Sequence, residues 1–425
     1  MFEVRRDRNN NLGLKGYWIR LIGGFLEART LLNNPEMVNK HTTTYYARDQ
    51  MKALGLYMNT EEHALLPLRR AWHVFLFGQL SIMYLSMIYG LLDESLDNVV
   101  EMGRDLAFLI GMFFIIFKMV FFSLYADEVD EIIDALEQDH HAEVKGPGTA
   151  INRATKRRHF LLLMALDFVW TFAVVIFIIL LISTPLWADQ TLPFHVAFPF
   201  ELHDPSKHPI AHFIIYMSQT FSIVFANIWL VATEGLSVCL YSQVTTALSV
   251  LCVELRHLPQ HCTSDGHEDG LRWELKRLIR NHQSIILIVD RCNQLFHGPL
   301  IMQMIVNFML VSLSVFEAMM ARHDPKVAAE FMVLMILALG HLSLWSKFGD
   351  LMSQESMEVA MAAYEAYEPN VGSNGIHQDI RFIIARSQQP LIMRASPFPE
   401  FNLINYMAIL HQCYVLLTLL LNTLD

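Results

Sequence analysis

The amino-acid sequence predicts an all-α, polytopic membrane protein with seven transmembrane helices. Apolar residues make up 53% of its 425 positions, and they are concentrated in long runs with at most one charged residue each. Amphipathic helices of soluble proteins would show a polar face every few residues, whereas a spanning helix needs about 20 mainly apolar residues. The uneven distribution of Lys and Arg along the chain then predicts the orientation.

Seven runs are long enough to cross about 30 Å of hydrocarbon at 1.5 Å per residue. They cover residues 71–92, 105–125, 159–184, 210–232, 300–320, 327–346 and 401–421. The fifth and sixth are the least uniform, because Glu317 lies near the end of the fifth, and Glu330 and His341 lie in the sixth.

Cytosolic connections of membrane proteins retain Lys and Arg. Eleven such residues precede the first span. Five lie between the second and third spans, six between the fourth and fifth, and four between the sixth and seventh. The alternate connections contain only Arg104, Lys207, Arg322 and Lys326. This pattern predicts a cytosolic N-terminus and an extracellular C-terminus. A G-protein-coupled receptor has the opposite orientation, and its Asp-Arg-Tyr and Asn-Pro-x-x-Tyr motifs are not found at the expected positions.

The domain organisation follows from the spans. Residues 1–70 are expected to form a cytosolic segment, 71–270 the first four transmembrane helices, and 271–425 cytosolic helices with the last three spans. The sequence does not open with a cleavable signal, so the first span is expected to direct insertion. Amphipathic cytosolic helices are predicted at 271–297, 353–364 and 376–389.

Several classes of function are disfavoured. A net charge of −11 argues against a nucleic-acid partner. The five cysteines are odd in number and lie mostly in spans or cytosolic segments, so a disulfide framework is not expected. No nucleophile with its base, paired carboxylates or metal-ligand spacing points to an enzyme or to a cofactor. The histidines of the third connection do not match a zinc site either: His195, His203, His208 and His212.

Two ionisable residues lie at the same predicted depth. Lys118 in the second span and Asp167 in the third are each about two helical turns from the cytosolic side. Because an unpaired charge in a span costs roughly 2.5–3.5 kcal/mol, we expect these two side chains to form a buried ion pair. The alternative is that each contacts other polar groups or a water-filled cavity. Glu234 and His341 also lie in or near spans, without an identifiable partner.

Aromatic and methionine side chains are concentrated in the outer halves of four spans. They suit a pocket for an apolar ligand, but equally the core of a helix bundle or a lipid-facing surface. The candidates are Phe113, Phe114, Phe172, Phe177, Met217, Phe221, Phe331 and Met335.

The last span has no charged residue but several polar ones. At helical spacing, His411, Thr418 and Asn422 share one face, and an apolar face lies beside it. The apolar face consists of Leu410, Tyr414, Leu417 and Leu421. Either face could line a pore, and both could simply pack against neighbouring helices.

The C-terminal third contains a set of short motifs: a Phe-Gly pair, a Ser followed by Val-Ala and Ala-Tyr-Glu, an Arg-Ser-Gln-x-Pro-Leu block, and a tyrosine in the last helix. Their residues are Phe348, Gly349, Ser356, Val359, Ala360, Ala363, Tyr364, Glu365, Arg386, Ser387, Gln388, Pro390, Leu391 and Tyr414. In these motifs the C-terminal third resembles that of insect odorant receptors. A looser similarity covers Leu192-Pro193-Phe194 and Phe198-Pro199-Phe200 in the outer loop.

The resemblance implies an odorant-gated, nonselective cation channel subunit of the plasma membrane, assembled with odorant co-receptor subunits in a tetramer. It implies an odorant-binding subunit rather than the co-receptor, because the connection between the fourth and fifth spans is short. It also implies that a small volatile odorant binds in the outer halves of the second, third, fourth and sixth spans. Alignment on Tyr414 would place the gate at Leu417 and Leu421. A related gustatory receptor is disfavoured by the Arg-Ser-Gln block. The alternative from another class is a membrane transporter or scaffolding protein without ligand-gated conduction.

Overall fold

The protein is a bundle of ten α-helices in the part of the chain that the structure describes. The computed structural model describes residues 66–424, except 96–98, 141–148, 188–191, 260–266, 322–324 and 368–373, together with Arg48 and Met51. The helices are α1 (Leu66–Gly90), α2 (Val99–Leu124), α3 (Ala126–His140), α4 (Thr149–Trp187), α5 (Pro209–His257), α6 (His267–Leu295), α7 (His297–Met320), α8 (Pro325–Glu365), α9 (Asn374–Ser387) and α10 (Leu403–Leu424). A π-helical turn, Leu91–Ser95, follows α1, and a 3-10 turn, Pro199–Glu201, precedes α5.

Six of these helices are long and apolar enough to cross a membrane, counting only described residues: α1, α2, α4, α5, α7 and α8. They coincide with the first six predicted spans, and α10 covers the seventh. The predicted all-α, polytopic fold is therefore confirmed. The orientation of the bundle in the membrane stays a prediction.

The centre of the bundle is formed by two helices that are longer than a membrane requires. α5 has 49 residues and α8 has 41, against the roughly 20 that cross the hydrocarbon. α5 packs against α4 and α8, and α8 also packs against α7 and α9. The predicted cytosolic helix at 353–364 is consequently the last part of α8 rather than a separate element.

Shorter amphipathic helices surround the extended ends of α5 and α8. We call this region, made of α3, α6, α9 and the ends of α5 and α8 that they surround, the anchor end. The opposite region, around residues 192–208, is the loop end. α6 packs on α3 and α5, and α9 packs on α8. The predicted helix at 271–297 corresponds to α6, which Phe296 separates from α7.

The segment between α9 and α10 is fixed by side chains of the anchor end. The backbone N–H of Leu391 donates to the hydroxyl oxygen of Ser356 on α8, at 2.9 Å. Asn293 on α6 donates to the carbonyl oxygen of Ile392 and accepts from the N–H of Arg394, at 2.9 and 3.1 Å. Two residues of the C-terminal pattern, Ser356 and Leu391, thus position the start of α10.

A close contact between backbones occurs where this segment crosses α8. Gly349 lies against the carbonyl group of Phe401, so that a Cβ atom at this position would overlap with the carbonyl oxygen. Only glycine allows this approach. On the same helix, a Cβ atom at Gly340 would meet no atom within 4 Å.

We therefore expect Gly349→Ala to lower the free energy of unfolding by about 1–3 kcal/mol, the usual effect of overpacking. Gly340→Ala is the matched control, and it should be neutral or slightly stabilising because alanine favours helix. Thermal unfolding of the detergent-solubilised variants measures both effects. Equal melting temperatures for the two variants would contradict the assigned contact.

Candidate functional site

An elongated cavity lies inside the bundle toward the loop end. Its volume is about 120 Å³. Helices α2, α4, α5, α7 and α8 form its walls, and the side chains that line it include Phe108, Met112, Phe114, Trp170, Val174, Phe177, Ile223, Leu230, Val306, Leu337 and His341. For comparison, a dry apolar cavity of about 150 Å³ can bind benzene. The size and lining therefore suit a small, mainly apolar molecule.

Two of the eight predicted ligand-binding residues line this cavity, namely Phe114 and Phe177. Phe331 is buried and Met335 is partly buried, but both pack in the core and neither is part of the lining. The other four side chains are exposed on the outside of the bundle: Phe113, Phe172, Met217 and Phe221.

The difference has a geometric reason. Successive residues of a helix point about 100° apart, so Phe113 and Phe114 share a depth but face different directions. The sequence indicated the depth of the aromatic residues and not the rotation of each helix.

Phe194, which is not among the eight predicted residues, lines the cavity on the side of the loop end. Its ring is buried and stands edge-on to Phe108, with 4.9 Å between ring centroids. The side-chain amide of Gln219 on α5 accepts from the N–H of Phe194 and donates to its carbonyl oxygen, at 3.1 and 3.2 Å. The signal that could have found this residue was the Leu192-Pro193-Phe194 motif.

The polar part of the lining is provided by His341 on α8 with Asn307 on α7 and Asn227 on α5. His341 is 6% exposed and stacks on Trp170, with ring centroids 4.8 Å apart. The Nε2 atom of His341 lies 3.2 Å from a carboxylate oxygen of Glu234, and its Nδ1 atom lies 2.9 Å from the amide nitrogen of Gln303.

The predicted ion pair between Lys118 and Asp167 is wrong. Lys118 on α2 instead pairs with Glu234 on α5, and both side chains are almost completely buried. No ion pair joins Lys118 to Asp167 among the described residues. Asp167 is half-buried on α4, beside Gly235.

The physical reason is the position of the helices around the bundle. α2 packs against α5 and α7, whereas α4 packs against α5 and α8. Lys118 therefore reaches Glu234 on the adjacent helix α5, and equal depth alone does not bring it to Asp167 on α4. The predicted fourth span ended before Glu234, and the sequence analysis therefore left this residue without a partner.

Because Glu234 compensates a buried cation, we expect Glu234→Gln to lower the free energy of unfolding by about 3–5 kcal/mol. Asp167→Asn serves as the matched control, with an expected effect below about 0.5 kcal/mol. Both can be measured by thermal unfolding of the detergent-solubilised protein. A larger effect of Asp167→Asn than of Glu234→Gln would restore the original pairing.

The last helix, α10, packs on α7 and α8. Tyr414 is exposed on it, as are His411 and Val415. Leu417 and Leu421 belong to α10, but their side chains lie outside the described residues. The predicted gate residues are thus located on a helix, while their environment stays a prediction.

The fold and the cavity define a multi-pass helical membrane protein with a mainly apolar cavity between its spans. The family model described as 7tm Odorant receptor matches residues 98–414. The chain belongs to the odorant receptor family.

Individual relatives agree with this assignment. Odorant receptor 65a of Drosophila melanogaster is 51% identical over 426 residues, covering 100% of both chains. Odorant receptor 47b of the same organism is 33% identical over 380 residues, which cover 88% of this chain and 90% of the relative. The family prediction is confirmed, and the chain groups with these tuning-type receptors rather than with the co-receptor.

A solved structure shows the same fold. The insect olfactory receptor OR5 from Machilis hrabei in complex with eugenol matches 89% of this chain and 99% of its own, with a TM-score of 0.72. At 13% sequence identity, this similarity supports the arrangement of helices and not the identity of a ligand.

Proposed function

We propose that the protein is an odorant-gated, nonselective cation channel subunit of the plasma membrane. The observation that supports this most directly is the mainly apolar cavity between α2, α4, α5, α7 and α8 in a chain of the odorant receptor family. Its walls offer many dispersion contacts to a small volatile molecule and few polar ones. A ligand bound there would contact Phe114 and Phe177, with Phe194 above it.

The proposed orientation has residues 1–70 in the cytosol and the C-terminus outside. Its support is the distribution of Lys and Arg, because positive charge is retained on the cytosolic side. The loop end then faces the exterior and the anchor end the cytosol. In this arrangement residues 71–270 contain most of the ligand site, and 271–425 contain the anchor helices and the pore helix.

The pore is proposed to be lined by α10. Among the described residues this helix packs mainly on α7 and α8, and it leaves exposed apolar side chains such as Ile404, Met407 and Tyr414. Symmetric packing of such helices around a central axis would cover these surfaces. Rings of Leu417 and Leu421 would then close the pore by excluding water.

Assembly with odorant co-receptor subunits into a tetramer is supported by the surface of the anchor end. Large apolar side chains are exposed there on helices with otherwise polar faces, which is typical of an interaction site. They are Trp273, Leu287, Met357, Met361, Tyr364 and Phe382. Each belongs to α6, α8 or α9.

Cells that express this chain together with a co-receptor should give odorant-evoked cation currents with a panel of volatile compounds. We expect Gly111→Val to raise the half-maximal odorant concentration at least about tenfold, which corresponds to a loss of about 1.4 kcal/mol or more of odorant binding free energy. Gly111 lines the cavity, and a Cβ atom there meets no protein atom within 4 Å. The added methyl groups would therefore occupy ligand space rather than disturb the fold.

Gly78→Val on α1 is the matched control, since a Cβ atom at Gly78 also meets no atom within 4 Å and this residue is not part of the cavity lining. Its concentration–response curve should equal that of the wild type at equal surface expression. Equal curves for Gly111→Val and the wild type would reject the cavity as the odorant site. Absence of current from the wild type with every volatile would count against the channel function itself.

The gate is tested separately with Leu417→Ala and Leu421→Ala. A smaller side chain weakens the exclusion of water from a narrow pore, so we expect a constitutive current without odorant or a changed ion selectivity. Cys413→Ala, on the buried side of α10, is the control and should leave both properties unchanged. Wild-type closure and selectivity in both leucine variants would exclude these positions as the gate.

A further inference from the structure

Glu234 is the acceptor at the centre of a buried network that joins three helices. One of its carboxylate oxygens pairs with the ammonium group of Lys118 on α2. The other accepts from the indole N–H of Trp345 on α8 at 2.8 Å and lies 3.2 Å from Nε2 of His341. Glu234 itself is 1% exposed.

Two branches of this network reach the cavity. His341 is part of the lining. The ammonium group of Lys118 lies 4.7 Å from the ring centroid of Phe114, which is also part of the lining. A ligand that displaces the ring of Phe114 or of His341 therefore acts directly on a partner of Glu234.

A third branch reaches the start of α10. The ring of Trp345 packs against Phe401, with centroids 5.9 Å apart, two residues before α10 begins. On the next turn of α8, Gly349 contacts the backbone of the same residue. Because Gly349 leaves no free space beside Phe401, a shift of the Trp345 ring must be transmitted to the chain that leads into α10.

We propose that Glu234 is a positioning residue that couples occupation of the cavity to the position of α10, through the hydrogen bond from Trp345. A carboxylate in a low-dielectric interior keeps its hydrogen bonds, since losing one leaves a costly unpaired charge. When Lys118 or His341 moves with the ligand, Glu234 follows, and the indole of Trp345 follows Glu234. This inference rests on the proposed function, because it takes α10 as the pore helix.

Trp345→Phe is the decisive variant, because it keeps an aromatic ring against Phe401 but removes the N–H that donates to Glu234. Trp229→Phe on α5 is the matched control. Trp229 is 1% exposed, against 2% for Trp345, but its indole N–H has no hydrogen-bond partner among the described residues. The two substitutions thus remove similar volume from the core, and only one removes a donor to the carboxylate.

Both variants are expressed with the co-receptor and recorded against the volatile that gives the largest wild-type current. That volatile is chosen from single-ring aromatic and short aliphatic alcohols, aldehydes and esters. Maximal current is divided by the amount of receptor at the cell surface, which removes any effect on folding. We expect this ratio to fall at least about fivefold in Trp345→Phe, a coupling loss of about 1 kcal/mol, and to stay at the wild-type value in Trp229→Phe.

A wild-type ratio in Trp345→Phe, or an equal fall in both variants, would overturn the inference while leaving the channel function intact. If the wild-type protein gives no current with any volatile of the panel, the proposed function itself is rejected. Should Trp345→Phe not reach the surface, the double variant Lys118→Met with Glu234→Leu replaces it, because leucine offers no acceptor to the indole N–H. Removing both charges together avoids an uncompensated buried charge, and a wild-type current ratio in this double variant would likewise overturn the coupling.

Discussion

A single buried carboxylate determines how the middle of this bundle is arranged. An isolated charge in a low-dielectric interior would be very costly, so Glu234 requires donors from its surroundings. It obtains them from α2 and α8, and this brings Lys118, His341 and Trp345 together on one side of α5. The same contacts shape the neighbouring cavity, because Glu234 and Gln303 together hold His341 in the cavity wall.

The pattern at the C-terminal end has a physical explanation. Ser356 holds the backbone of Leu391, Gly349 makes room for Phe401, and Phe348 and Val359 are buried in the core. These residues fix the connection between the anchor end and α10 rather than contact a ligand. The cavity is lined mostly by side chains that do not belong to the pattern, such as Phe177 and Trp170. The family could thus be identified from residues that carry the architecture, and most residues of the cavity lining contributed nothing to that identification.

Composition and charge distribution were enough to predict the all-α membrane fold and the positions of its spans, because long apolar runs leave few other structures possible. Contacts between helices could not be predicted in the same way. Residue counting placed Lys118 and Asp167 at one depth, but depth does not determine which helices are neighbours. For the same reason, the sequence did not distinguish Phe114, which lines the cavity, from Phe113, which is exposed. Tertiary packing is also what brings Phe194 and His341, far apart in sequence, to the wall of one cavity.

The length of α5 has a mechanical consequence. Its 49 residues form one continuous rod of about 74 Å, and after Pro209 no proline interrupts it. Glu234 lies near its midpoint, about 35 Å from the end at His257. A tilt of about 2° around this midpoint displaces that far end by about 1.2 Å, since a stiff helix has no joint at which to absorb the rotation. Small rearrangements in the middle of the bundle are therefore enlarged where neighbouring subunits would meet.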